Sequence, residues 1–186
     1  MSECIEIKYD AEDMEGFMTY VLNMGLCQLF LPVAFIISDK EVIGQYRTDG
    51  SVPLSELAGM DSDRALDIMI SLMEGMVQAQ RRCIFPENYT VNADDLWWDQ
   101  EDGAVKLIFR PKDIGREEER YADILEMHDV ITALLPEDQQ GYMKKARGFI
   151  SRGRSSLEVI RHRFEDLRRE AMLCSGTLSD RGQIIS

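Results

Sequence analysis

The stretch Thr90–Pro111, TVNADDLWWDQEDGAVKLIFRP, decides how the chain is read. Leu96-Trp97-Trp98 predicts one strand, Asp102-Gly103 a tight turn and Val105–Phe109 a second strand, because turn-forming residues separate two apolar, β-rich runs. The sequence therefore predicts a β-hairpin near residues 96–110.

Composition and charge describe an acidic chain with a basic C-terminal end. The 186 residues carry a net charge of −13. Residues 1–142 contribute −18 and residues 143–186 contribute +5. This balance argues against a general nucleic-acid-binding protein and allows at most a peripheral membrane contact through the basic end. The 45% apolar share is sufficient for the core of a single domain.

The four cysteines lie far apart in the chain, and only two histidines accompany them. This spacing does not form a metal-binding motif, so we expect free thiols, no metal and no cofactor. Glu3 and Glu6 stand where a signal peptide would be basic, and the apolar run near Leu29–Ile37 is too short to span a bilayer. The expected location is the cytoplasm.

Upstream of the hairpin, the pattern predicts a small antiparallel sheet with one helix. Cys4–Tyr9, Val33–Ser38 and Glu41–Arg47 favour strands. Ala11–Met24 favours a helix that Asp10 caps and Gly25 ends. Its apolar side chains are expected to face the core: Met14, Phe17, Met18, Val21 and Leu22.

Four helices are predicted around the hairpin. Ser62–Gln80, with Asp61 or Ser62 as its cap, is the expected central core helix. The others are Gly115–Pro136, Asp138–Ser151 and Ser155–Leu173. The fold class is thus α+β, with a β-rich N-terminal lobe (1–49), a helical C-terminal lobe containing the hairpin (50–173) and a flexible tail (174–186).

The order of these elements resembles the lower half of a protein kinase. Val42–Tyr46 corresponds to the hinge strand, Ser51–Leu57 to the linker that follows, and Ser62–Gln80 to the helix beneath the catalytic loop. With Gly25–Pro32, the chain is similar to the degenerate kinase-like domains of Firmicutes, found beside forkhead-associated modules and in the membrane component of type VII secretion. The resemblance implies a reduced two-lobe, kinase-like fold.

The same resemblance assigns the kinase positions. The catalytic base falls on Thr90, the metal-binding Asn on Asp95 and the magnesium-binding Asp on Phe109. Thr is no carboxylate base, and Phe offers no oxygen to a metal. A G-x-G-x-x-G loop is also absent from the sequence. The expectation is a non-catalytic scaffold, not an enzyme, linked to secretion or phospho-signalling machinery. The alternatives are a pseudokinase that senses ATP without turnover and a structural oligomerisation domain.

Two features suggest partner contacts. In a strand, Trp97 and Trp98 point to opposite faces, so one belongs to the core and the other covers a loop or contacts a partner. Arg161, Arg168 and Arg169 belong to a basic run that includes Arg152, Arg154 and Arg163. This run either pairs with the acidic body or docks an anionic partner.

The last helix repeats apolar residues at heptad spacing: Leu157, Ile160, Phe164 and Leu167. Such a seam is typical of a helix packed on its own domain or of a homodimer contact. The sequence leaves both open.

Overall fold

The computed structural model describes residues 4–14, 16–39, 41–57, 59–112, 121–151 and 155–180, with side chains described as far as Cys174. These residues form two small antiparallel sheets and five α-helices, so the α+β class is confirmed.

The N-terminal sheet has the order β1-β3-β2, with β1 at Cys4–Asp10, β2 at Val33–Ile37 and β3 at Glu41–Arg47. The sheet needs a glycine at position 44, in the middle of β3, because a Cβ there would lie 3.0 Å from ring atoms of Phe35 and Tyr46. Aromatic side chains therefore cover the inner face of this sheet closely. The predicted small sheet is confirmed.

Helix α1, Gly16–Asn23, packs against β2 and is shorter than predicted. A 3-10 turn occupies Ala11–Asp13, and the Asp10 side chain makes no capping hydrogen bond, so the expected cap is wrong. Gly25 ends the helix as predicted, with a φ of +64°. Phe17, expected in the core, is 51% exposed. An eight-residue helix packs only one side on the domain, and Phe17 lies outside that side.

The second sheet has the order β4-β5-β6: Ser51–Pro53, Leu96–Asp99 and Ala104–Leu107. The predicted hairpin is confirmed as β5 and β6, with Gly103 at a φ of +62° in the turn. The third strand, β4, was missed because its residues adjoin the turn at Thr48–Gly50 and include Pro53.

A short segment joins the two sheets. The Leu31 N–H donates to the Leu107 carbonyl at 2.9 Å, and the Leu107 N–H donates to the Leu29 carbonyl at 2.7 Å. Residues 29–31 therefore extend the second sheet beyond β6 and hold the N-terminal sheet against it.

Helix α2, Ser62–Arg81, is the central core helix, as predicted. The Asp61 side chain caps it by accepting the Arg64 N–H at 2.8 Å. Leu66, Met69 and Leu72 are fully buried. Its methionines are packed inside the domain, where their flexible side chains fill irregular gaps.

Three further helices pack around α2: α3 at Ala122–Ala133, α4 at Gly141–Ile150 and α5 at Leu157–Asp180. The start predicted for α3 at Gly115 lies outside the described residues. Helix α5 continues past Leu173, where the sequence predicted its end, and residues 181–186 of the expected tail lie outside the described range. Within the described chain, no helix combines the length and apolar character needed to cross a bilayer.

Candidate functional site

The structure brings the segments that carry Thr90, Asp95 and Phe109 together. The Thr90 N–H donates to the Arg110 carbonyl at 2.9 Å, and the Ile108 N–H donates to the Asp95 carbonyl at 3.0 Å. Phe109 lies between these two links in the chain. The loop before β5 and the segment after β6 therefore run side by side.

Asp95 is occupied by a cation from its own chain. Its side chain is 9% exposed and receives two hydrogen bonds at 3.1 Å, from Arg110 Nε to Oδ2 and from Arg110 Nη2 to Oδ1. The pairing with Asp95 raises the pKa of the Arg110 guanidinium. A bidentate Arg–carboxylate pair fixes both geometry and charge. The Arg110 guanidinium thus balances the charge of this carboxylate.

Phe109 fills the space between the sheets. Its side chain is fully buried, and its ring centroid lies 5.3 Å from that of Phe30. Tyr89 stacks edge-on against Phe30 at 5.2 Å. Together with Tyr9 and Tyr46, these residues form what we call the aromatic cluster: Tyr9, Phe30, Tyr46, Tyr89 and Phe109.

Two tyrosine hydroxyls close the aromatic cluster. Tyr9 Oη donates to the Phe109 carbonyl at 2.7 Å and lies 2.6 Å from Tyr46 Oη. Burial raises the pKa of Tyr9 to about 12 and raises that of Tyr46 further. Both phenols are therefore neutral at physiological pH, and the N-terminal sheet is hydrogen-bonded to the backbone of Phe109.

The two largest grooves among the described residues have no member of this cluster in their lining. One of about 630 Å³ lies between α2 and the hairpin turn, and one of about 640 Å³ lies between the starts of α2 and α4. A smaller groove of about 250 Å³ is lined by Thr90, Asp123 and Glu126 but by no described Lys or Arg. Among the described side chains, no three of His, Cys, Asp or Glu converge as metal ligands would.

Of the two tryptophans in β5, Trp98 is the one that belongs to the core. Trp98 is 6% exposed, and the Arg64 guanidinium lies over its ring at 4.4 Å. Trp97 is half-buried and packs against the core. The burial of Trp98 argues against it as a partner contact, because its ring is already covered from within the chain.

The described arginines of the basic run bind their own chain. Arg168 pairs with Asp63 and Asp67 of α2 at 3.1 Å and 2.8 Å. Arg161 pairs with Glu165 and Arg169 with Asp166 along α5. Arg168 therefore links α5 to α2, in agreement with the predicted pairing of the basic run with the acidic body. Arg152 and Arg154 lie outside the described residues.

The heptad seam of α5 is internal. Leu157, Ile160 and Phe164 are at most 1% exposed, and Leu167 is half-buried against the same core. The seam packs on α2 and α4 of its own chain. A homodimer through these side chains would require α5 to leave this position.

Sequence reasoning missed two parts of the site. The Arg110 side chain was passed over, although a basic residue beside a buried carboxylate position is a recognisable pairing signal. The tyrosine hydroxyls of Tyr9 and Tyr46 had no such signal, because their meeting depends on strands far apart in sequence. A scan against protein-family models finds no match for the chain, and a search of curated proteins finds no similar sequence.

Proposed function

We propose that this chain is a non-catalytic, kinase-like interaction domain that works in the bacterial cytoplasm. The observation that supports this most strongly is the closed cleft, by which we mean the space between the two sheets that Phe109 fills. Phe109, to which the resemblance assigns the position of the magnesium ligand, is fully buried and accepts a hydrogen bond from Tyr9 at its carbonyl. Phosphoryl transfer needs metal, lysine and base acting together, and a buried phenylalanine side chain offers no ligand for the metal.

The Asp95–Arg110 pair adds a second argument. A kinase uses the corresponding side chain to hold a metal ion, whereas here a guanidinium takes both carboxylate oxygens. Displacing Arg110 would leave a charged group without its partner in a largely buried place, which is unfavourable. The Asp95–Arg110 pair therefore has a structural role. In this proposal the domain functions through contacts made at its surface.

A thermal melt with and without millimolar Mg²⁺-ATP tests the proposal. A ligand that binds only the folded state stabilises it by about 2.7 kcal/mol at a hundredfold excess over its dissociation constant. We expect no change in Tm. Mg²⁺-tripolyphosphate at the same ionic strength serves as the control for general salt effects. A rise in Tm with Mg²⁺-ATP but not with the control would overturn the closed-cleft argument and favour a nucleotide-sensing pseudokinase.

A further inference from the structure

Helix α1 carries an exposed apolar surface, which we call the α1 stripe: Phe17, Tyr20 and Met24. The three side chains are 51%, 60% and 56% exposed. They follow at steps of three and four residues. Met24 comes directly after the helix, but its N–H still donates to the Tyr20 carbonyl at 3.0 Å, so the three residues lie on one face. Several large apolar side chains exposed side by side often mark an interaction site, whereas single exposed apolar residues are common on any protein surface.

Further exposed apolar side chains lie close to the stripe in the sequence. Leu26, Ile36 and Ile37 are 43%, 54% and 65% exposed. With the stripe they make six of the eleven large exposed apolar side chains in the described chain, all within residues 17–37. Of the remaining five, three lie on α5, and Phe85 and Leu134 lie elsewhere.

The adjoining strand edge is already partly closed. The Phe35 N–H points away from β3 and donates to Asn23 Oδ1, at the end of α1, at 3.2 Å. A partner that added a strand to β2 would have to break this bond. Side-chain contacts with the α1 stripe are therefore favoured over backbone pairing, as when one helix packs on another.

The acidic residues near the stripe in the sequence favour a basic partner. Residues 1–57 contain ten acidic and three basic residues. Asp10, Glu12 and Asp13 are exposed and lead directly into α1. An anionic membrane would be repelled by these carboxylates, whereas basic side chains would be attracted. A groove of about 370 Å³, lined by Met24, Val33 and Arg47 among others, lies at the other end of the helix.

We propose that the α1 stripe docks an amphipathic helix of a protein partner whose apolar face is flanked by basic residues. The partner's apolar side chains would cover Phe17, Tyr20 and Met24, and its cations would face Asp10, Glu12 and Asp13. This inference rests on the proposed function as an interaction domain. It does not depend on the cleft, so the nucleotide test and the docking test fail separately.

The test uses the full chain and a fluorescent synthetic helix built from Leu and Lys, with a Leu/Glu helix of the same pattern as the reference probe. Fluorescence anisotropy gives the Kd. We expect the Leu/Lys helix to bind and the Leu/Glu helix not to bind. The double variant Phe17→Ser/Tyr20→Ser should weaken binding about tenfold or more, as the loss of central apolar contacts does.

Two matched controls separate docking from general attraction to an acidic protein. Phe85→Ser/Leu134→Ser also removes two large side chains that are 45% and 46% exposed, and it should leave the Kd unchanged. Glu12→Lys/Asp13→Lys should weaken binding more than Glu137→Lys/Asp138→Lys, which makes the same change in net charge elsewhere on the surface.

Several outcomes would overturn the proposal. One is no binding of the Leu/Lys helix, and another is equal loss in the stripe variant and its control. Concentration-dependent self-association abolished by Phe17→Ser/Tyr20→Ser would replace the partner helix with a second copy of this chain. Stripe-dependent binding to anionic lipid vesicles, without binding to the Leu/Lys helix, would assign the face to a membrane.

Discussion

The aromatic cluster and the α1 stripe are built from the same kinds of side chain and have opposite surroundings. Members of the cluster are between 0% and 7% exposed, whereas those of the stripe are more than half exposed. Two of the three hydroxyls of the cluster, those of Tyr9 and Tyr46, are also hydrogen-bonded to each other. The aromatic cluster is buried and stabilises the domain, whereas the α1 stripe is exposed and is the surface that we propose for a partner.

Replacing the centre of the cluster should give the largest effect. Phe109→Ala removes a fully buried ring, and we expect a loss of about 3–5 kcal/mol in the free energy of unfolding. Urea denaturation measures it. Phe85→Ala, at a ring that is 45% exposed, is the control and should cost far less. Equal losses at both positions would contradict the division between cluster and surface.

The Arg110→Ala variant tests the pair beside the cluster. It leaves the Asp95 carboxylate largely buried without its cation, and we expect a loss of about 2 kcal/mol. This is below the cost of breaking a fully buried pair because the Arg110 side chain is 40% exposed. The double variant Asp95→Asn/Arg110→Ala should recover part of the loss in the same denaturation assay. Failure to recover any of it would mean that Arg110 acts mainly through packing.

The Tyr9→Phe variant tests the hydrogen bonds that close the cluster. At neutral pH we expect a loss of about 1 kcal/mol, since the Phe109 carbonyl loses its 2.7 Å donor.

The same variant should change the response to alkali. Burial raises the pKa of Tyr9 from its ordinary value of 10 to about 12, so folding favours the neutral phenol. That stabilisation is complete below pH 10 and is lost as the pH rises toward 12. Stability measured across this window should therefore fall less steeply for Tyr9→Phe than for the unmodified chain. Parallel curves would show that Tyr9 does not titrate with unfolding.

The smallest effect is expected at the stripe. Tyr20→Ala removes a ring that is 60% exposed, and stability should change by about 0.5 kcal/mol or less. Thermal denaturation is sufficient to measure this. A loss comparable to that of Phe109→Ala would mean that the stripe is part of the core and would remove it as a docking surface.

Local pattern predicted much of the fold. The alternation in Cys4–Tyr9, the cap at Asp61 and the Asp102-Gly103 turn are signals contained in a few neighbouring residues, and each element formed where expected. The third strand of the second sheet was missed because β4 has only three residues, and its pairing with β5 comes from a distant part of the chain.

The candidate site was less predictable, because it depends on which apolar faces are covered. Phe17 and Phe109 both lie in apolar patterns, yet one is exposed and the other is fully buried. Heptad spacing in α5 likewise describes an apolar face without naming what packs on it. Arg168 shows the same limit for charge, since its partners Asp63 and Asp67 lie about a hundred residues earlier.

The hydrogen bond between Tyr9 and Phe109 can form only late during synthesis of the chain. The two residues are separated by 100 positions. The strands of the N-terminal sheet leave the ribosome well before β5 and β6 exist, so the inner face of that sheet has nothing to close against. Such non-local closure slows folding and leaves apolar surface exposed meanwhile. We therefore expect the nascent N-terminal unit to be a client of chaperones until the hairpin has emerged.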